Sequence, residues 1–213
     1  MKEYEYYIFD FDGTICDTTE GIYNSVLHSL KEFGITEEHP ERLSFFIGPP
    51  LFVSYKKLYN VSDEDAHELI AIYRARYKDK AAEESRVYDG VKEMLAELKN
   101  RGKKLAVATS KPLPFIESIM ARHDLRKYFD YIAAATFENT DPSKKQLVEN
   151  CMEFFGDRDK SKYLMTGDRL FDIEGAIQAG IDSAGAVYGF GTEEELTEAG
   201  ATHLLFDVND ILY

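Results

Sequence analysis

Short, uninterrupted apolar runs recur along this chain, and most of them end next to a small or acidic residue. Unbroken apolar runs, as opposed to alternating ones, are typical of strands that are buried on both faces, as in a parallel sheet. Five such runs predict strands at residues 6–9, 105–108, 131–134, 163–165 and 184–187. The sequence therefore predicts a buried parallel sheet.

Helical patterns separate most of these runs. Residues 91–98 place apolar side chains at i, i+3, i+4 and i+7, with Asp89 and Gly90 before them and Gly102 after them. Similar patterns occur near residues 115–120, 146–155, 172–179 and 193–199. Strands that alternate with helices predict a doubly wound α/β fold, in which ligands bind at the carboxyl ends of the strands.

One long segment breaks this alternation. From about residue 17 to residue 84 the chain has no clear strand pattern, but it has helical patterns over 22–33 and 66–77. We therefore expect an α/β core of residues 1–15 and 86–213, with residues 16–85 inserted as an all-helical domain that acts as a lid. A chain of 213 residues is long enough for such a core and an insertion.

Composition limits the partners of this protein. The formal net charge of -14 disfavours nucleic acid and anionic membrane surfaces, because their phosphates would be repelled. Cys16 and Cys151 are far apart and lack zinc-site spacing, which predicts unpaired thiols in a reducing compartment. No targeting or membrane-spanning pattern is recognisable. These features predict a cytoplasmic protein and leave its oligomeric state open.

Two acidic residues follow the first predicted strand. Alternation along a strand places Asp10 and Asp12 on one side, where two charges are unfavourable unless a cation neutralises them. Magnesium binds one or two carboxylates together with phosphate oxygens, and a carboxylate can itself attack phosphorus while a second one transfers protons. Gly13 allows a tight turn that brings backbone amides near an anion. Taken alone, the pair could equally be a strand-end turn.

Hydroxyl groups and lysines follow the next two strands. Thr109 and Ser110 precede a predicted helix, where a hydroxyl can bind a phosphate oxygen or simply cap the helix. Lys144 and Lys145 lie just before the helix predicted at 146–155, where a lysine is electrostatically unfavourable unless an anion lies opposite it. The alternative for both lysines is a solvated surface.

Asp168 follows the fourth predicted strand, and Asp172 lies four residues further on, about one helical turn away. One of the two could bind a cation while the other orients its water or another ligand. Four polar elements thus follow four strands of one predicted sheet, and this coincidence favours a phosphate-handling site.

These elements resemble the motifs of the haloacid dehalogenase superfamily, and most closely those of its phosphoglycolate-phosphatase-like branch with a helical cap. The resemblance covers nearly the whole chain and is carried by Asp-Phe-Asp-Gly-Thr at 10–14, Thr109 or Ser110, a lysine after Asp141-Pro142, and Gly167-Asp168 through Asp172. Ile47-Gly48-Pro49-Pro50-Leu51 resembles the segment of the cap.

The resemblance implies a mechanism. Asp10 would be the nucleophile and Asp12 the general acid and base, while Mg²⁺ would be bound by Asp10, the backbone carbonyl of Asp12 and Asp168. Asp172 would support this site from behind the metal ligands. Lys144 would hold the transferring phosphoryl group. Because the Pro-x-Pro that commonly follows the family's lysine is absent here, Lys145 stays the alternative to Lys144 for this role.

The resemblance also implies where substrate binds. Thr109, Ser110 and Gly13 would contact the phosphate, and Gly48 marks the cap segment near the rest of the substrate. The predicted activity is a magnesium-dependent phosphatase acting on a small phosphorylated metabolite. Phosphoglycolate-like compounds, pyrophosphate and nucleoside 5'-monophosphates all fit this branch.

Other functions can use a core of this kind. A sugar-phosphate mutase would use the same four elements. A receiver-like signalling domain would have about 120 residues and its phosphorylated aspartate on a middle strand. A phosphate-binding protein without activity would be expected to lack one of the elements. Dehalogenase chemistry is disfavoured because it needs neither Asp12 nor a metal.

Overall fold

A computed structural model of the chain describes residues 1–137 and 142–213. The chain folds as two units, one formed by Met1–Asp17 and Arg86–Tyr213 and the other by Thr18–Ser85. The first boundary lies after Asp17 and not after Ile15, because Cys16 and Asp17 pair with Val87 and Arg86 in a two-stranded antiparallel ribbon. The sequence pattern of these short strands was too weak to predict them.

The apolar runs form a parallel sheet in the first unit. The strands, in chain order, are β1 Tyr6–Phe9, β2 Cys16–Asp17, β3 Arg86–Val87, β4 Lys104–Pro112, β5 Tyr131–Ala135, β6 Tyr163–Gly167, β7 Asp182–Ala186 and β8 His203–Leu205. Six of them pair in the order β5-β4-β1-β6-β7-β8, and every pairing in this sheet is parallel. The predicted doubly wound α/β fold is confirmed. Strand β8 was not predicted, since it has only three residues at the edge of the sheet.

Helices connect the strands. The α-helices of the described residues are α1 Thr19–Glu32, α2 Leu51–Tyr59, α3 Asp63–Lys80, α4 Val91–Asn100, α5 Leu113–His123, α6 Lys144–Phe155, α7 Leu170–Ala179 and α8 Glu193–Glu198. Short 3-10 helices occupy Pro40–Phe46, Arg126–Tyr128, Lys160–Lys162 and Val208–Leu212. The helices of the core fall where the apolar spacing predicts them, and α2 is an addition that the sequence did not suggest.

The sheet is covered by α6 and α7 on one side. The hydrophobic cluster between these helices and the sheet contains Ile8 from β1 and Met165 from β6, which are fully buried. Leu147 and Val148 from α6 belong to the same cluster. Several alanines complete this cluster: Ala106, Ala108, Ala133, Ala176 and Ala179. Because alanine is small, α6 and α7 approach the sheet and each other closely. This close packing brings the first residue of α6 to the carboxyl edge of the sheet.

The second unit consists of helices. Helix α1 packs against α3, and its buried face includes Val26 and Leu30. Helix α3 begins at Ser62, whose side chain accepts a hydrogen bond from the backbone of Asp65 in a capping box. Arg76 forms an ion pair of 2.6 Å with Glu84, which ties the end of this unit to α3. Within the residues that the structure describes, no helix is both long and apolar enough to cross a bilayer.

Candidate active site

Asp10 lies directly after β1, in the middle of the carboxyl edge of the sheet. Its backbone amide donates to the carbonyl of Thr166 in β6 at 2.8 Å, which holds the residue in line with the strand. Its side chain is buried, and its Oδ1 atom accepts a hydrogen bond from Nζ of Lys144 at 2.8 Å. Burial raises the pKa of Asp10 to about 7, whereas the ammonium of Lys144 acts to lower it.

Lys144 is the first residue of α6 and projects into the site. Its Nζ atom lies 2.8 Å from Asp10 and 2.7 Å from Oδ1 of Asp172. Burial opposes the charged form, but the carboxylates of Asp10 and Asp172 raise the pKa of Lys144 above its usual range. The same two carboxylates also offset the unfavourable electrostatic energy of a cation at a helix N-terminus. Lys145 is half-exposed and lies 3.7 Å from Glu149, so the structure brings Lys144, and not its neighbour, to Asp10.

Asp168 follows β6 and is fully buried. Its Oδ1 atom accepts a hydrogen bond from the hydroxyl of Thr14 at 3.2 Å, and its Oδ2 atom accepts one from the backbone amide of Phe190 at 2.9 Å. Gly13 has a φ of +80°, and a Cβ atom there would lie 2.2 Å from Oδ2 of Asp168. Only glycine therefore allows the loop after β1 to pass so close to this carboxylate.

Asp10, Asp168 and Asp172 form a buried acidic cluster. One carboxylate oxygen from each of the three residues lies within 4.8 Å of those of the other two. Burial, followed by the charges of Asp172 and Asp10, raises the pKa of Asp168 well above its usual value. Lys144 pairs with Asp10 and Asp172, whereas no lysine or arginine among the described residues pairs with Asp168. This excess of buried negative charge and the all-oxygen donor set fit a hard cation such as Mg²⁺.

Asp172 has a different role within this cluster. Its Oδ1 atom pairs with Lys144, and its Oδ2 atom accepts the backbone amide of Arg169 at 3.0 Å, at the start of α7. A carboxylate anchored in this way orients the ammonium of Lys144. The role of Asp172 in supporting the metal ligands stays a prediction.

The side chain of Asp12 does not belong to the acidic cluster. Both of its oxygens contact Nζ of Lys111, at 2.8 and 2.7 Å. Lys111 was not predicted as a site residue, because the second predicted strand ends at residue 108. Strand β4 in fact continues to Pro112, so Lys111 lies within the strand.

The two hydroxyl residues of β4 are placed differently. Thr109 is buried, and its Oγ1 atom accepts the backbone amide of Lys111 at 3.2 Å. Ser110 is exposed. Helix α5 follows only at Leu113 and is preceded by Pro112, so neither hydroxyl caps it. The capping alternative for Thr109 and Ser110 is therefore wrong.

Gly13 and Gly48, the two predicted substrate-binding glycines, lie in different units of the chain. The backbone amide of Gly13 donates to the carbonyl of Cys16 at 2.8 Å, so in this structure Gly13 shapes the turn and its amide is already engaged. Gly48 lies in the second unit, with a φ of +101°. Its role in substrate binding remains a prediction. Asp141 lies outside the described residues.

Comparison with known proteins shows the family of this chain. Residues 7–186 match the family described as haloacid dehalogenase-like hydrolase. The chain therefore belongs to the haloacid dehalogenase-like hydrolase family, as its four strand-end elements predicted.

Individual relatives are similar over nearly their whole length. A 5'-nucleotidase of Pseudomonas aeruginosa is 37% identical over 94% of this chain and 90% of its own length. The pyrophosphatase PpaX of Halalkalibacterium halodurans is 31% identical over 96% of this chain and 94% of its own. The solved structure of a putative phosphatase from Clostridium difficile is 41% identical, covers 100% of both chains and superposes with a TM-score of 0.91. The predicted resemblance to the phosphatase branch of the family is confirmed.

Proposed function

We propose that this protein is a magnesium-dependent phosphatase that hydrolyses a small phosphomonoester through an aspartyl-phosphate on Asp10. The observation that carries this proposal is the buried carboxylate of Asp10 at the end of β1, with Lys144 Nζ at 2.8 Å and the carboxylates of Asp168 and Asp172 beside it. A buried carboxylate among these groups can attack phosphorus while its surroundings neutralise the phosphoryl charge.

In the first step, an oxygen of Asp10 attacks the phosphorus of the substrate. The bond from phosphorus to the ester oxygen breaks, and its electron pair goes to that oxygen. Asp12 gives this oxygen a proton, so that an alcohol leaves and an acyl phosphate remains on Asp10. Lys144 holds the phosphoryl group while charge redistributes over its oxygens.

In the second step, water attacks the phosphorus of the acyl phosphate. Asp12, now ionised, takes a proton from this water, and the bond from phosphorus to the Asp10 oxygen breaks. Inorganic phosphate leaves, and both aspartates return to their starting states. The sum of the two steps is hydrolysis of one phosphomonoester by one water molecule.

A magnesium ion would be held by Asp10 and Asp168, with the backbone carbonyl of Asp12 as a further ligand. When bound, it would supply charge neutralisation for the phosphoryl oxygens and for the buried carboxylates. The hydrogen bonds from Thr14 and Phe190 would keep Asp168 oriented for this task.

We propose that residues 18–85 act as a cap that selects the substrate, and that a nucleoside 5'-monophosphate, pyrophosphate or a phosphoglycolate-like compound is turned over. The names of the relatives support the first two classes. A cytoplasmic location is supported by Cys16 and Cys151, which are both buried and unpaired.

A panel of small phosphorylated metabolites tests this function. We expect the purified protein with Mg²⁺ to release inorganic phosphate from at least one member of these three substrate classes. Hexose phosphates belong in the same panel, because a mutase would form an isomerised sugar phosphate faster than free phosphate. That result, or turnover of no member, would contradict the proposal.

A glycine in α7 offers a structural test of the role of Lys144. A Cβ atom on Gly175 would lie 2.6 Å from Cγ of Lys144, so Gly175→Ala should push the lysine away from Asp10. Because misplacement by about 1 Å can cost about 100-fold in rate, we expect phosphatase kcat to fall by roughly 10- to 100-fold. The exposed neighbour Glu174 gives the control: Glu174→Ala should keep kcat within about 2-fold, since surface substitutions have small effects. Unchanged kcat in Gly175→Ala would contradict the role given to Lys144.

A further inference from the structure

The end of β4 is irregular, and this irregularity determines where Lys111 lies. Strand β4 pairs with β5 regularly up to Thr109, opposite Ala134, but the next pair is Pro112 opposite Ala135. Three steps along β4 thus match one step along β5. Such a bulge redirects side chains, and bulges are frequent beside active sites.

The bulge is held by its own hydrogen bond. The backbone amide of Lys111 donates to Oγ1 of the buried Thr109 at 3.2 Å. Only 7% of the side chain of Lys111 is exposed, which is unusual for a lysine. Burying an ammonium is unfavourable unless an anion pairs with it, so the buried ammonium of Lys111 needs an anionic partner.

That partner is Asp12. Nζ of Lys111 lies 2.8 Å from one oxygen of Asp12 and 2.7 Å from the other. A cation that contacts both oxygens restricts rotation of the carboxylate. Lys144, by contrast, contacts Asp10 and Asp172, so the two buried lysines pair with different aspartates.

We propose that Lys111 is a positioning residue that holds the carboxylate of Asp12 in the orientation for proton transfer with the substrate. This inference rests on the proposed phosphatase function and adds a residue to it. Proton transfer requires the acid to lie within hydrogen-bonding reach of the leaving oxygen, so loss of its orientation slows this step. Lys111 thus acts through Asp12 and not on the phosphoryl group.

The dependence on the leaving group distinguishes this role from others. Nitrophenolate leaves from nitrophenyl phosphate without a proton, whereas the alcohol of an alkyl phosphate such as a nucleoside 5'-monophosphate needs one. The ratio kcat/KM reports steps up to departure of the leaving group. For Lys111→Met at saturating Mg²⁺, we expect kcat/KM to fall about 100-fold on the alkyl phosphate and less than about 5-fold on the aryl phosphate.

Two further variants complete the experiment. Lys111→Arg keeps a cation that can contact both oxygens of Asp12, and it should recover part of the selective loss. Lys104→Met makes the same change at the exposed start of β4 and should leave both ratios unchanged. Circular dichroism and thermal melting show whether each variant folds. If Lys111→Met does not fold, Lys111→Gln and Lys111→Arg provide the same comparison.

A double-mutant cycle provides the sharpest readout. If Lys111 acts through Asp12, adding Lys111→Met to Asp12→Ala should cause no further loss of kcat/KM on the alkyl phosphate. A further loss in that background, an equal loss on both substrates in the single variant, or no loss at all would overturn the inference. The proposed function fails separately, if the unmodified protein releases phosphate from neither substrate or if Asp10→Asn keeps its activity.

Discussion

Asp10→Asn is expected to abolish phosphate release, with kcat reduced by at least about 10⁴-fold, as is typical when a covalent nucleophile is removed. An amide is a poor nucleophile towards phosphorus, and it offers no anionic oxygen to the cation. The change keeps the size of the side chain, so the fold should persist. The measurement is steady-state release of inorganic phosphate from nitrophenyl phosphate and from the best natural substrate.

A matched control makes this result specific. Asp89 is exposed and pairs with Arg86 at 3.3 Å, away from the acidic cluster. Asp89→Asn should therefore retain nearly full kcat. Activity within 10-fold of the unmodified protein in Asp10→Asn would exclude Asp10 as the nucleophile.

Removal of divalent cations should produce the second large effect. We expect EDTA to reduce kcat by at least about 1,000-fold, because charge neutralisation contributes several kcal/mol to phosphoryl transfer. Added Mg²⁺ should restore the activity, whereas Ca²⁺, which prefers more ligands and longer bonds, should restore little. Phosphate release that does not respond to chelation would contradict the proposed mechanism.

Thermal melting tests the same site independently of activity. A cation that binds only the folded protein at about 100 times its dissociation constant adds about 2.7 kcal/mol, which corresponds to a rise in Tm of roughly 5–10 °C. Asp168→Asn should reduce this rise, since it removes the carboxylate that has no ammonium partner among the described residues. Asp89→Asn should preserve it. An equal Mg²⁺-induced rise in Asp168→Asn and in the unmodified protein would exclude Asp168 as a ligand.

Much of the fold could be predicted from local patterns. The strand at Tyr6–Phe9 is found with the predicted bounds, because a continuous apolar run flanked by polar residues has few alternatives. The strand at Lys104–Pro112 extends four residues beyond its predicted end. Its bulge places Ser110 and Lys111 outside regular pairing, and polar residues in this stretch look like a loop in the sequence.

The acidic residues of the candidate site can be selected from the sequence as a group, but their contacts cannot be predicted from it. Asp10, Asp168 and Asp172 were chosen because each follows a strand or begins a helix, and the structure brings their carboxylates together. The sequence contained no indication that Asp12 would be paired with Lys111. Residues 99 positions apart meet here through the pairing of β1 with β4.

Local patterns in the sequence predict the class of fold, the order of most strands and helices along the chain, and the four polar elements, because each depends on a few neighbouring residues. Tertiary structure decided which charged groups face one another. It selected Lys144 over Lys145 through the direction of the first turn of α6, and it assigned Lys111 to Asp12 through the bulge in β4. Those choices depend on long-range strand pairing and on the free energy of burying charges, which no local pattern records.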